Sequence, residues 1–116
     1  MYKIDGTTIS LTRGDTFIAT VSLTKNGTTY TPVQGDTIRF AMKHNVLNVY
    51  KTDYVDKNPI IEKNIPIDTM ILRIDAADTA NLPFGEYVYD MEITYANETV
   101  DTFICEAQFN ILPEVH

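Results

Sequence analysis

An all-β domain of two stacked layers is what this sequence predicts, and three observations predict it. Apolar side chains recur at every second position, the spacing of strands with one buried face. Helical periodicity is nearly absent. Clusters of Gly, Asn, Asp and Pro interrupt the alternation about every ten residues, which marks roughly seven to eight short antiparallel strands joined by Greek-key connections.

The elements follow in order. Thr16 to Thr24 places Phe17, Ala19, Val21 and Leu23 on one side and Thr16, Thr20, Ser22 and Thr24 on the other. Asn26-Gly27 tolerates positive φ and closes this strand in a tight hairpin with Thr28 to Thr31, which Pro32 cuts. Gln34-Gly35-Asp36 turns the chain into Thr37 to Lys43, with Ile38, Phe40 and Met42 inward and Thr37, Arg39 and Lys43 toward water. Gly35-Asp36-Thr37 repeats Gly14-Asp15-Thr16, and turn chemistry explains the match without duplication. From His44 to Asn58 the pattern loosens around a short strand near Val46 to Lys51, and the polar turn ends at Pro59. Extended residues Ile60 to Ile65 stop at Pro66, and a strand over Thr69 to Ile74 alternates Met70, Leu72 and Ile74 with Ile71 and Arg73.

Asp75 is a helix N-cap residue with Asp78 three positions on, so a single helical turn is expected near residues 76–81 before Pro83 forbids continuation. Gly85 then releases the chain into a strand with Tyr87, Tyr89, Met91, Ile93 and Tyr95 on one face. Across the turn Ala96-Asn97-Glu98 its partner runs from Thr99 to about Ile111, with Phe103, Cys105, Ala107, Phe109 and Ile111 as the inward phase. A one-turn corner followed by a tyrosine that bonds back to upstream backbone is a feature of immunoglobulin-like sandwiches, and Asp78 to Leu82 followed by Tyr87 has that layout. The fold expected is therefore an immunoglobulin-like β-sandwich. Tyr89 stands where an antibody domain would carry its second cysteine, and the chain has no tryptophan.

Size and charge bound the function. At 116 residues the chain has room for one domain, residues 1–116, burying roughly two-thirds of its unfolded surface. A lone cysteine makes no internal disulfide and points to a reducing cytosol as the place of synthesis. Nine basic against sixteen acidic residues leave a net charge of −7, which repels phosphate backbones and argues against nucleic-acid binding. No segment approaches the ~20 apolar residues of a membrane span, and Met1 to Asp5 does not read as an export signal.

The inventory for catalysis is thin. His44 and His116 are the only histidines, one in the irregular segment and one at the terminus, so neither forms a nucleophile–base set. His44 reads as a solvated loop residue and Cys105 as a small core residue. The acids Asp15, Asp36 and Asp75 sit at turns, without the spacing of a calcium loop. No catalytic residue, cofactor or metal ligand is assigned. Arg13-Gly14-Asp15 spells a cell-attachment tripeptide but is ordinary turn grammar. Tyr50, Asp53, Tyr54 and Asp56 combine aromatic faces with carboxylates, which suits a sugar, or else form a surface hairpin half-covering the sandwich.

Four stretches, in order and spacing, carry a resemblance: Ile9 to Thr16, Gly35 to Phe40, Asp78-Thr79-Ala80-Asn81-Leu82-Pro83-Phe84-Gly85-Glu86-Tyr87-Val88-Tyr89-Asp90, and Val100 to Phe103. Together they cover most of the chain, and it resembles the immunoglobulin-like domain of phage tail and baseplate proteins, similar to the N-terminal domain of baseplate upper proteins. The resemblance implies a non-enzymatic virion part made in the bacterial host cytoplasm. It would pack in several copies against other tail or baseplate proteins or itself, often ahead of a longer receptor-binding or trimerising region. Ending at His116, the chain would be a small adaptor or accessory protein. Pro32, Pro59 and Pro66 suggest which strand edges are protected from pairing. The alternative is a carbohydrate-binding module that recognises bacterial surface glycans through Tyr50, Asp53, Tyr54 and Asp56.

Overall fold

Residues 2–44 and 60–113 are described by a computed structural model of the chain. Among them run β1 (Tyr2–Asp5), β2 (Thr8–Thr12), β3 (Phe17–Thr20), β4 (Leu23–Lys25), β5 (Thr28–Tyr30), β6 (Thr37–His44), β7 (Ile61–Ile65), β8 (Ile71–Ile74), α1 (Ala76–Thr79), β9 (Gly85–Thr94) and β10 (Val100–Leu112). The all-β expectation holds. The short strand near Val46 to Lys51 and the turn at Pro59 lie outside the described residues.

Six strands form one sheet in the order β1-β2-β10-β9-β6-β7, while β3 pairs with β8 and β4 with β5. Ten strands among the described residues exceed the expected seven to eight, and one pairing departs from the antiparallel rule. Phe109 to Leu112 of β10 run parallel to Ile9 to Thr12 of β2. The surplus comes from the N-terminus, where Gly6 at φ 62° folds β1 back on β2, and from the division of one predicted strand into β3 and β4. Strands this short carry too little alternation to be read from the sequence alone.

The predicted strand from Thr16 to Thr24 is in fact two. Its apolar phase is kept, with Phe17 and Leu23 buried, but the chain changes partner at Val21-Ser22, from β8 to β5. Val21 donates its amide to the Met70 carbonyl at 2.7 Å. Met70 itself sits at φ 56°, so β8 begins only at Ile71. The Asn26-Gly27 hairpin is as predicted, with φ of 54° and 79° and Lys25 opposite Thr28. Asp78 accepts the Asp75 amide at 2.8 Å, the carboxylate half of a capping box. The Asp75 carboxylate takes Arg73 Nε at 2.7 Å. His44, expected in a loop, is the last residue of β6, opposite Tyr87 of β9.

The core is continuous across the sheets. Phe17, Leu72 and Ile74, from β3 and β8, share one buried cluster with Leu11, Phe40, Tyr89, Phe109 and Ile111 of the six-stranded sheet. Phe40, Tyr89 and Phe109 pack ring on ring, with centroids 5.4 to 6.2 Å apart. Burial pushes the Tyr89 hydroxyl up to about 12, and that hydroxyl is satisfied by the Thr7 carbonyl. On the opposite face of the large sheet Arg39 joins Glu62 at 3.0 Å and Glu92 at 3.7 Å, and Lys43 meets Asp90 at 3.3 Å.

Cys105 is exposed and not a core residue. The register between β9 and β10 slips twice, between Thr102 and Ile104 and again between Ile104 and Ala107. Each slip re-aims the following side chains, as β-bulges do. Phe103 and Ile104 end half-buried in succession while Cys105 and Glu106 face out. Glu106 adopts φ 51°, and its amide donates to Asp90 Oδ1 at 2.6 Å. Alternation returns at Phe109 and Ile111, both buried.

Candidate functional site

Tyr50, Asp53, Tyr54 and Asp56, the residues expected to hold a ligand, lie outside the described residues. Among the described residues a cleft lined by aromatic and charged side chains lies elsewhere, at the corner where the β4–β5 hairpin, the turn into β6 and the β9–β10 turn meet. That cleft has a volume of about 600 Å³ and is lined by Lys25, Tyr30, Asp36, Tyr95, Asn97 and Asp101 with their neighbours.

Asp36 organises the corner. Its Oδ2 accepts the Tyr30 hydroxyl at 2.6 Å and the Val33 amide at 3.0 Å, and its Oδ1 accepts the Ala96 amide at 3.1 Å. Turn, hairpin and β9–β10 connection are thereby tied to one buried carboxylate. The Tyr30 hydroxyl, then the Val33 amide, hold this carboxyl below the usual carboxylate range, with burial opposing them and the Ala96 amide and Lys25 charge assisting. The same hydrogen bond, with burial second, pushes Tyr30 up to about 12. At neutral pH the pair is an ionised acceptor and a neutral donor, each committed to the other. Such a pair braces a surface and is not poised to move protons.

The rings complete the corner. Tyr30 and Tyr95 meet edge to face, centroids 5.6 Å apart and planes at 81°. Lys25 Nζ stands 4.4 Å from the Tyr95 centroid and 5.5 Å from that of Tyr30, within the range of cation–π attraction. Asn97 Oδ1 accepts the Thr99 amide at 3.1 Å, which fixes the turn. Val100, beside it, is 55 % exposed.

Sequence reasoning placed Tyr95 on a strand face and Asp36 in a turn, but did not bring them together. No local signature could, because Asp36 and Ala96 are sixty residues apart along the chain. A usable hint is the tyrosine at or just past the end of each of two strands, Tyr30 in β5 and Tyr95 after β9.

A second, apolar cavity of about 200 Å³ lies between the β1–β2 turn and β3, lined by Ile4, Ile9, Phe17, Leu72, Met91 and Ile104 among others. The Arg13-Gly14-Asp15 tripeptide is laid against the following corner. Arg13 sits 4.1 Å over the Phe84 ring and donates to the Leu82 carbonyl at 3.3 Å. Among the described residues no three His, Cys, Asp or Glu side chains are grouped to hold a metal ion, and no helix is long and apolar enough to cross a membrane. Comparison of the chain with family models, with curated proteins and with solved structures returns no match.

Proposed function

We propose that this chain is a non-enzymatic docking module of a bacteriophage or prophage tail or baseplate, with an immunoglobulin-like sandwich as its scaffold and protein–protein contacts as its work. The observation that carries the reading is the corner from Asp75 to Tyr87. Its residues from Asp78 onward fall in the longest of the stretches that resemble phage tail domains, and its geometry supports the reading. One helical turn ends, Pro83 stops it, and the Tyr87 hydroxyl donates back to the Pro83 carbonyl at 2.7 Å. Such a corner is a feature of immunoglobulin-like sandwiches. The strand order agrees with that architecture, since β10, β9 and β6 adjoin in one sheet while β3 and β8 pair in another.

The surface suits docking. β2 covers only Phe109 to Leu112 of the thirteen-residue β10, so among the described residues the first part of that strand has β9 alone as a partner. An open edge can pair with a neighbouring subunit. Bulges at Ile104 to Ala107 and the charges of Asp101 and Glu106 blunt it against indiscriminate pairing. Exposed Ile4, Val100 and Leu112 offer apolar contacts. Neighbouring tail or baseplate proteins, or further copies of the chain, are the partners this reading names.

Immunogold electron microscopy tests it. Antibody to the chain should label the tail or its distal end on particles purified from the organism that encodes it. Unlabelled particles in a lysate that contains the free protein would sink the proposal.

A further inference from the structure

We propose that the cleft between the β4–β5 hairpin and the β9–β10 turn is a binding subsite for a neutral saccharide, with Tyr95 and Val100 meeting its C–H face and Lys25, Asn97, Thr99 and Asp101 its hydroxyls. The inference is separate from the docking reading and stands or falls independently of it.

A sugar ring has an apolar face and an edge crowded with donors and acceptors. The lining of this cleft has both kinds of partner. Half-buried Tyr95 and exposed Val100 supply the apolar part, and aromatic faces are suited to C–H surfaces that also carry polar groups. For the hydroxyls, Lys25 brings three N–H donors. Among the described residues Lys25 makes no ion pair, and the tyrosine rings hold its ammonium at the cleft. Asn97 commits its oxygen to the Thr99 amide and keeps its NH₂ as a donor. Asp101 is an acceptor on the same wall. The volume of about 600 Å³ falls within the usual range for small-ligand sites.

Charge selects the class of sugar. One positive charge, Lys25, stands among Asp36 and Asp101 in a chain of net charge −7. A polymer carrying phosphates or uronates would meet net repulsion. Asp36 touches no ligand in this scheme, because its oxygens already accept from Tyr30, Val33 and Ala96. It is a positioning residue that holds the wall in place.

The test is a titration of the ¹⁵N-labelled full chain, read as amide chemical shifts. The probes are neutral oligosaccharides of glucose, galactose, N-acetylglucosamine and rhamnose, with lipoteichoic acid as an anionic arm and a proline-rich peptide as a peptide arm. At least one neutral sugar should move the Asn97, Thr99 and Asp101 signals, with a dissociation constant tighter than roughly 10 mM. Lys25→Ala and Asp101→Ala, both exposed positions, should each weaken that binding about tenfold; Asp101→Ala should leave the thermal midpoint in place, whereas Lys25→Ala also gives up its contacts with the tyrosine rings and lowers it slightly. Three results overturn the inference: none of the sugars moves these signals, only lipoteichoic acid or the peptide moves them, or the variants bind as tightly as the parent chain.

Discussion

Gly14-Asp15-Thr16 and Gly35-Asp36-Thr37 are the same tripeptide in the same turn, yet they do different jobs. In both, the aspartate amide closes the turn on a carbonyl three residues back, Thr12 at 3.1 Å and Val33 at 3.0 Å. In both, the glycine holds positive φ, 83° and 101°, as the third residue of a type II turn requires. The surroundings differ. A Cβ on Gly14 would meet nothing within 4 Å, whereas one on Gly35 would lie 2.8 Å from the Ala96 Cβ. At the first turn the glycine amide makes one such contact, donating to Thr79 Oγ1 at 3.0 Å. At the second it is made by the aspartate, which gathers three donors. The turn motif settles local backbone shape, and what packs beside it settles which of its atoms carries the tertiary structure.

The comparison can be broken experimentally, and the expected effects rank in order. Asp36→Ala should be the most destabilising change, since it strands two amides and a tyrosine hydroxyl together. Urea unfolding should show the largest fall in midpoint of any variant named here. Asp36→Asn sharpens the point through pH. The folded carboxyl sits below its unfolded value, so its contribution is present above about 4 and is lost as pH falls through the folded value. The stability gap between parent and Asp36→Asn should therefore be widest near neutrality and shrink on acidification. A gap constant from neutrality into strong acid would mean the ionised form does not matter.

Gly35→Ala comes next. Left-handed backbone costs roughly 1–2 kcal/mol for a non-glycine residue, and the Ala96 contact adds roughly 1–3 kcal/mol of overpacking. Ala96→Gly in the same chain should recover the second part only, which calorimetry of single and double variants resolves. Thr79→Val follows, at about 1–3 kcal/mol, because it removes the partner of the Gly14 amide beside a fully buried side chain. Gly14→Ala is the mildest, about 1–2 kcal/mol from backbone strain alone. If Gly14→Ala proved as costly as Gly35→Ala, the contrast between the two turns would fail.

The sequence is a reliable guide wherever one or two neighbouring residues decide the conformation. Asn26-Gly27 closes its hairpin, Pro66 ends β7, and Asp75 to Pro83 make a short helix and stop. It misleads where the deciding partner is distant. Cys105 falls on the apolar phase of its own strand, but bulges set by pairing with β9, one of them fixed by Asp90, turn it outward. Val21-Ser22 looks like continuous strand, but the chain changes partner there. The candidate cleft was illegible for the same reason, because Lys25, Tyr30 and Asp36 lie within twelve residues of one another but Tyr95 and Ala96 reach them from some sixty residues away.

Alternation, turn residues and a proline stop determined by themselves that this chain is all-β, where most of its longer strands run, and which of their side chains face inward, because those properties depend on backbone preferences and burial period within a few residues. Only the tertiary structure decided that β2 lies parallel to β10, that β10 bulges, and that one Gly-Asp turn became the keystone of a cleft. Those outcomes depend on which surfaces meet after the chain has closed loops of many residues, and a linear pattern does not encode that meeting.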